Sequence, residues 1–253
     1  MPDIILETHN LRKVFGALVA VDDVSIQVQA GTIHSIIGPN GAGKTTFFNL
    51  LSGNLEPTAG RVVYKGKDIT RLPLHRSAHV GIGRSFQITN LFPNLTALEN
   101  VRLACQALGK DNFAFLRPAS HFKQYEQRAW AILQQVGLAE RGLMPARVLA
   151  HGDQRKLELG IILAADPELL LLDEPTAGMA AEQVPELMAL IKQIQTSGDK
   201  TIVLVEHNMD VVMSSSDRIT VMHQGQVLAE GAPAEIAANE TVQSAYLGGL
   251  YEL

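Results

Sequence analysis

A short glycine-rich segment near the start of the chain leaves few choices of fold. Residues 38–45 read Gly-Pro-Asn-Gly-Ala-Gly-Lys-Thr and match G-x-x-x-x-G-K-[ST] at every fixed position. Glycines let successive backbone N–H groups turn inward around an anion. The apolar residues Thr32–Ile37 before the loop predict a strand, and Lys44–Leu51 after it predict a helix with its positive end at the loop. This context argues against a chance match in a glycine-rich turn.

The loop carries two side chains whose chemistry suits a nucleotide. Lys44 can reach the β- and γ-phosphates, and the Thr45 hydroxyl can ligate Mg²⁺. The sequence therefore predicts that the chain binds ATP together with Mg²⁺ and hydrolyses the nucleotide.

Two further strands end in residues suited to phosphate chemistry. Leu169–Asp173 has the pattern of a buried strand that ends in an acid, and Glu174 follows it. Asp173 can hold Mg²⁺ and Glu174 can accept a proton from an attacking water, although an acidic pair after a strand is also a common solvated turn. His207 follows the β-branched strand Thr201–Val205. A histidine there is suited to contact the γ-phosphate, the alternative being a structural role.

Strand-like and helix-like stretches alternate along the chain, which favours an α/β fold with a mostly parallel sheet. The ligands of such sheets bind beyond the carboxyl ends of the strands, where the motifs above are expected to gather. Further strands are predicted at Val24–Val28, Arg61–Tyr64, Val80–Phe86 and Arg218–Met222, and an amphipathic helix around Val184, Leu187, Ile191 and Ile194.

The middle of the chain has a different pattern. Thr96-Ala-Leu-Glu99 is a capping box that predicts the start of a helix. From residue 120 onward the apolar positions recur at helical spacing, at Phe122, Tyr125, Ala129, Leu133 and Val136. We therefore expect a helical lobe at residues 89–165, inserted into an α/β core formed by residues 1–88 and 166–253.

Composition narrows the class of protein. The chain has 253 residues, 46% of them hydrophobic, with 21 basic and 26 acidic residues and a net charge of −5. This mildly acidic balance gives no electrostatic reason to expect a nucleic acid partner. The single cysteine, Cys105, excludes an internal disulfide. We recognise no targeting segment, and no apolar run reaches the ~20 residues of a membrane-spanning helix.

Together these motifs resemble the nucleotide-binding subunit of ABC transporters over nearly the whole chain. The resemblance implies a single ABC ATPase domain at residues 1–253. Its fold is a P-loop NTPase (RecA-like) core with an antiparallel β subdomain and an inserted α-helical subdomain. The loop corresponds to Walker A, which implies ATP contacts from Gly38, Asn40, Gly41, Ala42, Gly43, Lys44, Thr45 and Thr46. Asp173 and Glu174 correspond to Walker B with the catalytic base, and His207 to the switch histidine.

The same resemblance assigns roles to two residues for which local sequence patterns predict none. Phe15 resembles the aromatic that stacks on adenine, and Gln87 the Q-loop glutamine that touches Mg²⁺ and senses the membrane subunit. From the residues alone, Phe15 is expected in the core and Gln87 in a polar turn. In this family two ATPase subunits, identical or different, pack head to tail, so each ATP lies between one Walker A and the other subunit's signature. Here the signature residues are Ala150, His151, Gly152 and Asp153.

Several segments narrow the match to the branched-chain amino acid importer branch, and within it to the LivG-type subunit with the larger insert. They are Leu91–Asn100, Gln154–Glu158, Glu174–Gly178, Ala245–Gly248 and the insert around Asn112–Gln127. The resemblance implies membrane permease subunits and a second ATPase subunit as partners, with a periplasmic solute-binding protein acting indirectly. It implies a peripheral position on the cytoplasmic face of the inner membrane.

Three positions depart from the family pattern. Ala150 replaces the signature serine, which removes a hydrogen-bond donor to the partner's ATP. Asp153 replaces the signature glutamine and is expected to place a carboxylate near the phosphates. Ala180 replaces the D-loop aspartate. All three weaken the site that this chain lends to its partner, and none lies in its own Walker A, Walker B or switch histidine.

Three alternatives remain open from the sequence. The first is a soluble ABC ATPase of DNA repair or translation. The second is a lipopolysaccharide-exporting ABC ATPase, and the third is a degenerate regulatory subunit that senses nucleotide. The first class usually carries two ATPase units, a coiled coil, zinc cysteines or a basic arm, none of which we recognise in this sequence. The presence of Glu174 and His207 argues against the third.

Overall fold

The structure is a computed structural model that describes residues 3–85, 91–107, 109 and 122–248. The strands are β1 (Ile4–Phe15), β2 (Leu18–Val24), β3 (Gln27–Gln29), β4 (Ile33–Ile37), β5 (Ala59–Tyr64), β6 (Lys67–Asp68), β7 (Ile82–Arg84), β8 (Leu169–Asp173), β9 (Thr201–Val205), β10 (Arg218–His223) and β11 (Gln226–Gly231). The helices are α1 (Lys44–Leu51), α2 (Leu74–Ser77), α3 (Ala97–Ala107), α4 (Lys123–Gln135), α5 (His151–Leu163), α6 (Val184–Ser197), α7 (Met209–Ser215), α8 (Pro233–Ala237) and α9 (Glu240–Gly248).

A six-stranded sheet in the order β11-β10-β4-β9-β8-β7 forms the middle of the fold. From β10 to β7 neighbouring strands run parallel, and β11 pairs antiparallel with β10 at one edge. Every residue of β4, β8 and β9 is buried, as expected of parallel strands covered on both faces. The predicted mostly parallel sheet is confirmed, and the predicted bounds of α1, β8 and β9 agree with the observed ones.

A second, antiparallel sheet joins β2, β1, β5 and β6, with β3 also paired to β1. Its apolar face, which includes Leu6 and Leu11, belongs to the same buried cluster as Phe47 and Phe48 of α1. The sheet therefore supports the helix that begins at the glycine-rich loop. The expected antiparallel β subdomain is present, although no sequence pattern had predicted its longest strand, β1.

Two predicted strands are shorter than expected. The predicted strand Val24–Val28 is broken between β2 and β3, where side chains bind the backbone: Ser25 Oγ accepts from Asn10 N at 2.8 Å and Thr8 Oγ1 accepts from Ile26 N at 3.0 Å. Val80 lies in a 3-10 turn that ends at Gly81 with φ 95°, so β7 starts only at residue 82. The end of the predicted strand, Phe86, lies outside the described residues.

Helices α3, α4 and α5 follow β7 in sequence and pack on one another through a buried apolar cluster. Tyr125, Ala129, Leu133 and Val136, the predicted helical face, all belong to this cluster. The capping box also forms, since Glu99 N donates to Thr96 Oγ1 at 3.1 Å and Thr96 N donates to Glu99 Oε2 at 3.2 Å. None of the described helices is long and apolar enough to cross a lipid bilayer.

The loop before α3 is fixed by one buried side chain, Asn100. Its amide nitrogen donates to the carbonyls of Phe92 (3.1 Å) and Thr96 (2.9 Å), and its Oδ1 accepts from Phe92 N at 2.8 Å. Both backbone polar groups of Phe92 are thereby satisfied, while its side chain is 58% exposed. The Phe92 ring is therefore exposed on a loop whose backbone is fixed by hydrogen bonds to Asn100.

We predict that Asn100→Ala lowers the free energy of unfolding by about 1–3 kcal/mol, because several buried hydrogen bonds lose their partner. Chemical denaturation followed by circular dichroism measures the change. Asn94→Ala, an exposed asparagine of the same loop, is the matched control and should be close to neutral. Equal stability of the two variants would contradict the role given to Asn100.

Candidate nucleotide-binding site

The glycine-rich loop leaves β4 at Ile37 and enters α1 at Lys44. Two of its glycines are required by close packing. A Cβ on Gly38 would lie 2.2 Å from the carbonyl oxygen of Met222, and a Cβ on Gly43 would lie 2.3 Å from that of Ala20. Gly43 also has φ 95°, a region that L side chains rarely adopt. The loop thus lies against β2 and β10 in a conformation that other residues cannot take.

Lys44 lies at the first turn of α1 and is buried. Its Nζ donates to the carbonyls of Gly38 at 2.7 Å and Pro39 at 3.0 Å, across the loop. Burial lowers the pKa of Lys44, while the negative charges of Glu174 and Asp173 oppose that change. A cation is therefore held inside the loop, close to the acidic strand end.

An open cleft of about 620 Å³ brings the predicted parts together. The phosphate loop, Glu174 and His207 all contribute to its wall, together with the β10–β11 turn and the start of β2. The residues that line it are Leu18, Val19, Ala20, Asn40, Gly41, Ala42, Gly43, Lys44, Thr45, Thr46, Glu174, His207, Gln224 and Gly225. The cleft lies at the carboxyl ends of β4, β8 and β9, where sheets of this kind bind ligands.

Glu174 and His207 come from neighbouring strands and meet in this cleft. Asp173 of β8 lies beside Val205 of β9, and Glu174 N donates to Val205 O at 2.9 Å. His207 Nε2 lies 2.6 Å from Glu174 Oε1. Because an ionised carboxylate can only accept, Nε2 carries the proton of this hydrogen bond. Glu174 has φ 48°, an uncommon backbone conformation that is concentrated at functional sites.

Asp173 is buried directly before this pair. Burial raises the pKa of Asp173 to about 6, and the nearby negative charge of Glu174 acts in the same direction. Its backbone N–H donates to Ser85 Oγ at 2.9 Å, but its Oδ1 has no hydrogen-bond partner among the described residues. A buried carboxylate oxygen without a partner suits a cation, so Asp173 has the chemistry expected of a Mg²⁺ ligand.

Of the two residues whose roles rest on the family resemblance alone, the structure describes Phe15 but not Gln87. Phe15 is 45% exposed, so its interpretation as a core residue is wrong. It pairs with Leu18, which lines the cleft, and the Nζ of Lys13 lies 5.1 Å from its ring centroid. Phe15 is therefore an exposed aromatic next to a residue of the cleft wall. Gln87 lies outside the described residues.

The signature residues are located apart from this cleft, at the beginning of α5. Ala150 is the N-cap of the helix and is exposed, as is His151, whose Nε2 lies 3.3 Å from the Ala177 carbonyl. Gly152 and Asp153 are buried and share a second cleft with Ala150. These residues leave the first turn of α5 without a side-chain cap.

Asp153 differs from the sequence expectation of a free carboxylate near phosphate. Its Oδ2 accepts from Arg141 Nη1, and its Oδ1 lies 3.9 Å from Lys156 Nζ. Its side chain is 10% exposed. Arg141 therefore pairs with this negative charge, whereas Lys156 makes its shorter contact with Glu186, at 2.6 Å. The pairing with Arg141 lowers the repulsion that a free carboxylate would exert on a phosphate.

Sequence reasoning missed two charged residues next to the site. Arg84, at the end of β7, donates to Ser52 and Asn49 of the α1 end, and its guanidinium carbon lies 5.2 Å from the Phe48 ring centroid. Glu206, between β9 and His207, is buried and accepts hydrogen bonds from Thr176. Their partners are 30 or more positions away in sequence, so no local pattern reveals them.

Comparison with known proteins agrees with this geometry. The family model described as ABC transporter matches residues 21–177, and the one described as branched-chain amino acid ATP-binding cassette transporter matches residues 226–251. The chain is 41% identical to the high-affinity branched-chain amino acid transport ATP-binding protein BraF of Pseudomonas aeruginosa, covering 96% of this chain and 98% of that protein. It is 40% identical, with the same coverage, to LivG of Escherichia coli, a transport ATP-binding protein described in the same words.

Solved structures give the same result for the fold. An ATP-binding cassette of an ABC transporter in its ADP conformation superposes with a TM-score of 0.83 at 30% identity, covering 97% of this chain and 99% of that one. A dimeric cassette in a post-hydrolysis state, bound to ADP and phosphate, has a TM-score of 0.77 at 26% identity, covering 90% of this chain and 99% of that one.

These findings define the class of protein as a nucleotide-binding ATPase of the P-loop fold. The chain belongs to the ABC transporter family, as an ATP-binding subunit. Within the family its branch is that of the branched-chain amino acid ATP-binding cassette transporters, as the motifs had predicted. The lipopolysaccharide export ATP-binding protein LptB of Acidithiobacillus ferridurans is 32% identical, covering 98% of this chain and 99% of that protein. The alternatives of a soluble or a lipopolysaccharide-exporting ATPase are not favoured.

We predict that Lys44→Ala weakens ATP binding by at least about 10- to 100-fold, because a charged hydrogen-bond donor to the phosphates is lost. Titration with a fluorescent ATP analogue measures the affinity. Lys192→Ala removes a lysine that pairs with Asp217 on the outside of α6 and should leave the affinity unchanged. Near-wild-type affinity of the folded Lys44 variant would refute the phosphate-loop assignment.

Proposed function

We propose that this chain powers the import of branched-chain amino acids, or of related small solutes, across the cytoplasmic membrane. The observation that carries the proposal is the cleft in which the phosphate loop, Glu174 and His207 meet. The relatives BraF and LivG reported above bear the names of branched-chain amino acid transport proteins. In this proposal residues 1–88 and 166–253 form the nucleotide-binding core and residues 89–165 the inserted lobe of one ABC ATPase domain.

ATP enters the cleft with its adenine against Phe15 and its phosphates in the loop. Backbone N–H groups of the loop and the N-terminal end of α1 bind the phosphate oxygens. Lys44 exchanges its two carbonyl partners for the β- and γ-phosphates, which compensate its charge better than neutral carbonyls do. Thr45, Asp173 and Gln87 are the residues that would hold Mg²⁺, which neutralises developing charge on the phosphates.

Glu174 is the proposed general base. His207 occupies only Oε1 of its carboxylate, so the other oxygen remains able to accept a proton from a water aligned with the γ-phosphate. When ATP is bound, the Nε2–H of His207 would turn from this carboxylate to donate to a γ-phosphate oxygen. Lys44 completes the catalytic set because it stabilises negative charge on the transferred group.

A second ATPase subunit, either another copy of this chain or a sister subunit, is the proposed partner in the head-to-tail arrangement. The signature of this chain, Ala150 to Asp153, then faces the partner's ATP. The exposed start of α5 supports this role, because it offers free N–H groups to an anion. The missing serine hydroxyl still weakens that contact, whereas Asp153 contributes little repulsion.

Membrane permeases are the second class of proposed partner, which places the chain on the cytoplasmic side of the membrane. The proposed docking site is the loop before α3, which carries the apolar residues Leu91, Phe92 and Leu95. Leu91 and Leu95 are half-buried, and Phe92 is the exposed member. The loop pairs through backbone hydrogen bonds with residues 144–147, in a region that exposes further apolar side chains, namely Leu143, Met144 and Val148. Apolar patches of this kind often mark partner sites.

We predict that Glu174→Gln leaves ATP binding intact and slows turnover by about 10²- to 10⁴-fold, because an amide cannot accept the proton of the attacking water. ATP affinity and phosphate release are measured on the same preparation. The expected variant accumulates as an ATP-bound dimer, visible by light scattering. A rate above about a tenth of wild type would mean that another residue is the base.

We predict that Phe92→Asp abolishes the stimulation of ATP hydrolysis by solute in the complex purified with its permeases, while ATP binding is unchanged. A charge on the exposed ring position opposes burial in an apolar contact. Val80→Asp is the control, since Val80 is an exposed apolar residue outside this patch. Normal stimulation in the Phe92 variant would exclude docking here.

Assaying branched-chain, aromatic and other amino acids in the same complex tests the substrate class.

A further inference from the structure

A buried carboxylate next to the catalytic pair has no part in the mechanism above. Glu206 is 4% exposed and lies between the end of β9 and His207. We infer that Glu206 is a positioning residue, which fixes Glu174 and His207 relative to each other by binding the chain on both sides of them. This inference rests on the proposed roles of Glu174 and His207.

Glu206 receives three hydrogen bonds from the two segments that carry the catalytic pair. Its Oε1 accepts from the N–H of Thr176 at 3.0 Å and from the Thr176 hydroxyl at 2.6 Å. Its Oε2 accepts from the N–H of His207 at 3.2 Å. One carboxylate therefore binds the segment after Glu174 with one oxygen and the residue His207 with the other.

These contacts close a ring. Glu174 lies two residues before Thr176 in the chain, and the Thr176 hydroxyl donates to Glu206. Glu206 directly precedes His207 in sequence, and His207 Nε2 lies 2.6 Å from Glu174 Oε1, which completes the ring. The chain turns sharply within this ring, because Glu174 has φ 48°. Such a conformation has a cost in free energy and persists where surrounding contacts hold it. The Glu206–Thr176 contact is suited to hold it.

A carboxylate is specifically required at this position. All three groups that face Glu206 are donors, and an ionised carboxylate offers only acceptors. A glutamine has the same shape but one acceptor oxygen and one NH₂ group. Whichever way its amide is turned, the NH₂ group faces a backbone N–H, either that of Thr176 or that of His207. Glu206→Gln therefore breaks the ring without creating a cavity.

The ring also reaches the signature helix. The residue after Thr176, Ala177, uses its carbonyl to accept from Arg155 Nη2 at 3.3 Å, and His151 Nε2 lies 3.3 Å from the same oxygen. Both residues belong to α5. Glu206 thus holds the segment that links the chain's own hydrolytic residues to the helix it offers to its partner.

The first test is Glu206→Gln in the full-length chain, in whichever assembly hydrolyses ATP. We expect kcat to fall about 10- to 100-fold, which corresponds to one lost hydrogen bond to a charged group, with the KM for ATP within about twofold of wild type. Glu230→Gln is the matched control, because Glu230 also accepts from two side chains, Arg218 and Thr220, away from the cleft. A normal kcat of the Glu206 variant would overturn the inference.

A second pair of variants tests the contact from its other side. Thr176→Val removes the hydroxyl donor at nearly constant volume and should lower kcat, whereas Thr176→Ser keeps the hydroxyl and should restore it. This pair leaves Glu206 in place, so it remains informative if the Glu206 variant folds poorly. Equal kcat values for the valine and serine variants would contradict a role of this hydrogen bond.

A double-mutant cycle separates positioning from a general loss of stability. If Glu206 acts through the catalytic pair, Glu206→Gln should cost little further rate in a His207→Ala background, and the two effects are not additive. Additive losses would show a merely structural role and overturn the inference.

The Glu174→Gln variant is assayed in parallel. If it hydrolyses ATP at a normal rate, the proposed function itself is refuted. If it is slow while the Glu206→Gln variant is normal, only the positioning role is refuted.

Discussion

The parallel pairing of β4, β9 and β8 is the constraint on which the site depends. Residues 33–36 of β4 pair in register with 202–205 of β9, and 201–205 of β9 pair with 169–173 of β8. Parallel strands in register end at the same edge of the sheet. The phosphate loop, the Asp173–Glu174 pair and the Glu206–His207 pair each follow one of these strands, so backbone pairing alone brings a lysine, three carboxylates and a histidine to one edge.

Bringing these charges together is costly unless each is compensated. Lys44 donates to two loop carbonyls, and Glu206 accepts hydrogen bonds from three donors. Asp173 is the exception, since one oxygen has no partner among the described residues and burial raises its pKa to about 6. The carboxylate that is least compensated within the chain is the one proposed to meet a divalent cation, which would remove the penalty of its burial.

Local patterns were sufficient for the elements that carry the motifs. β8 and β9 have the predicted bounds because the apolar run of β8 ends at Asp173 and that of β9 is followed by Glu206. α1 begins as predicted at Lys44, directly after the last glycine of the loop. Local patterns do not predict structure that depends on tertiary contacts. Ser25 and Thr8 interrupt the predicted strand Val24–Val28 through side-chain hydrogen bonds to the backbone. Phe15, read as core from its own residue type, is exposed because it lies at the end of β1 beside the cleft. Glu206 binds Thr176 and Asp153 binds Arg141, and both partners are distant enough in sequence that only the fold brings them near.

The compensation of Asp153 changes how the two proposed ATP sites compare. A free carboxylate in the signature would repel the partner's phosphates, but Asp153 is paired with Arg141. Lys156, which binds Glu186 at 2.6 Å, lines the same cleft as Ala150 and Gly152. The remaining defect is the absent serine hydroxyl, a single hydrogen bond to a charged group worth about 1.5–3 kcal/mol. A loss of that size slows a site without eliminating it. Where the partner is a sister subunit with an intact signature, the site completed by Ala150 is the weaker of the two. Arg155 of the helix that carries this signature donates to the Ala177 carbonyl, so this helix also contacts the segment after Glu174.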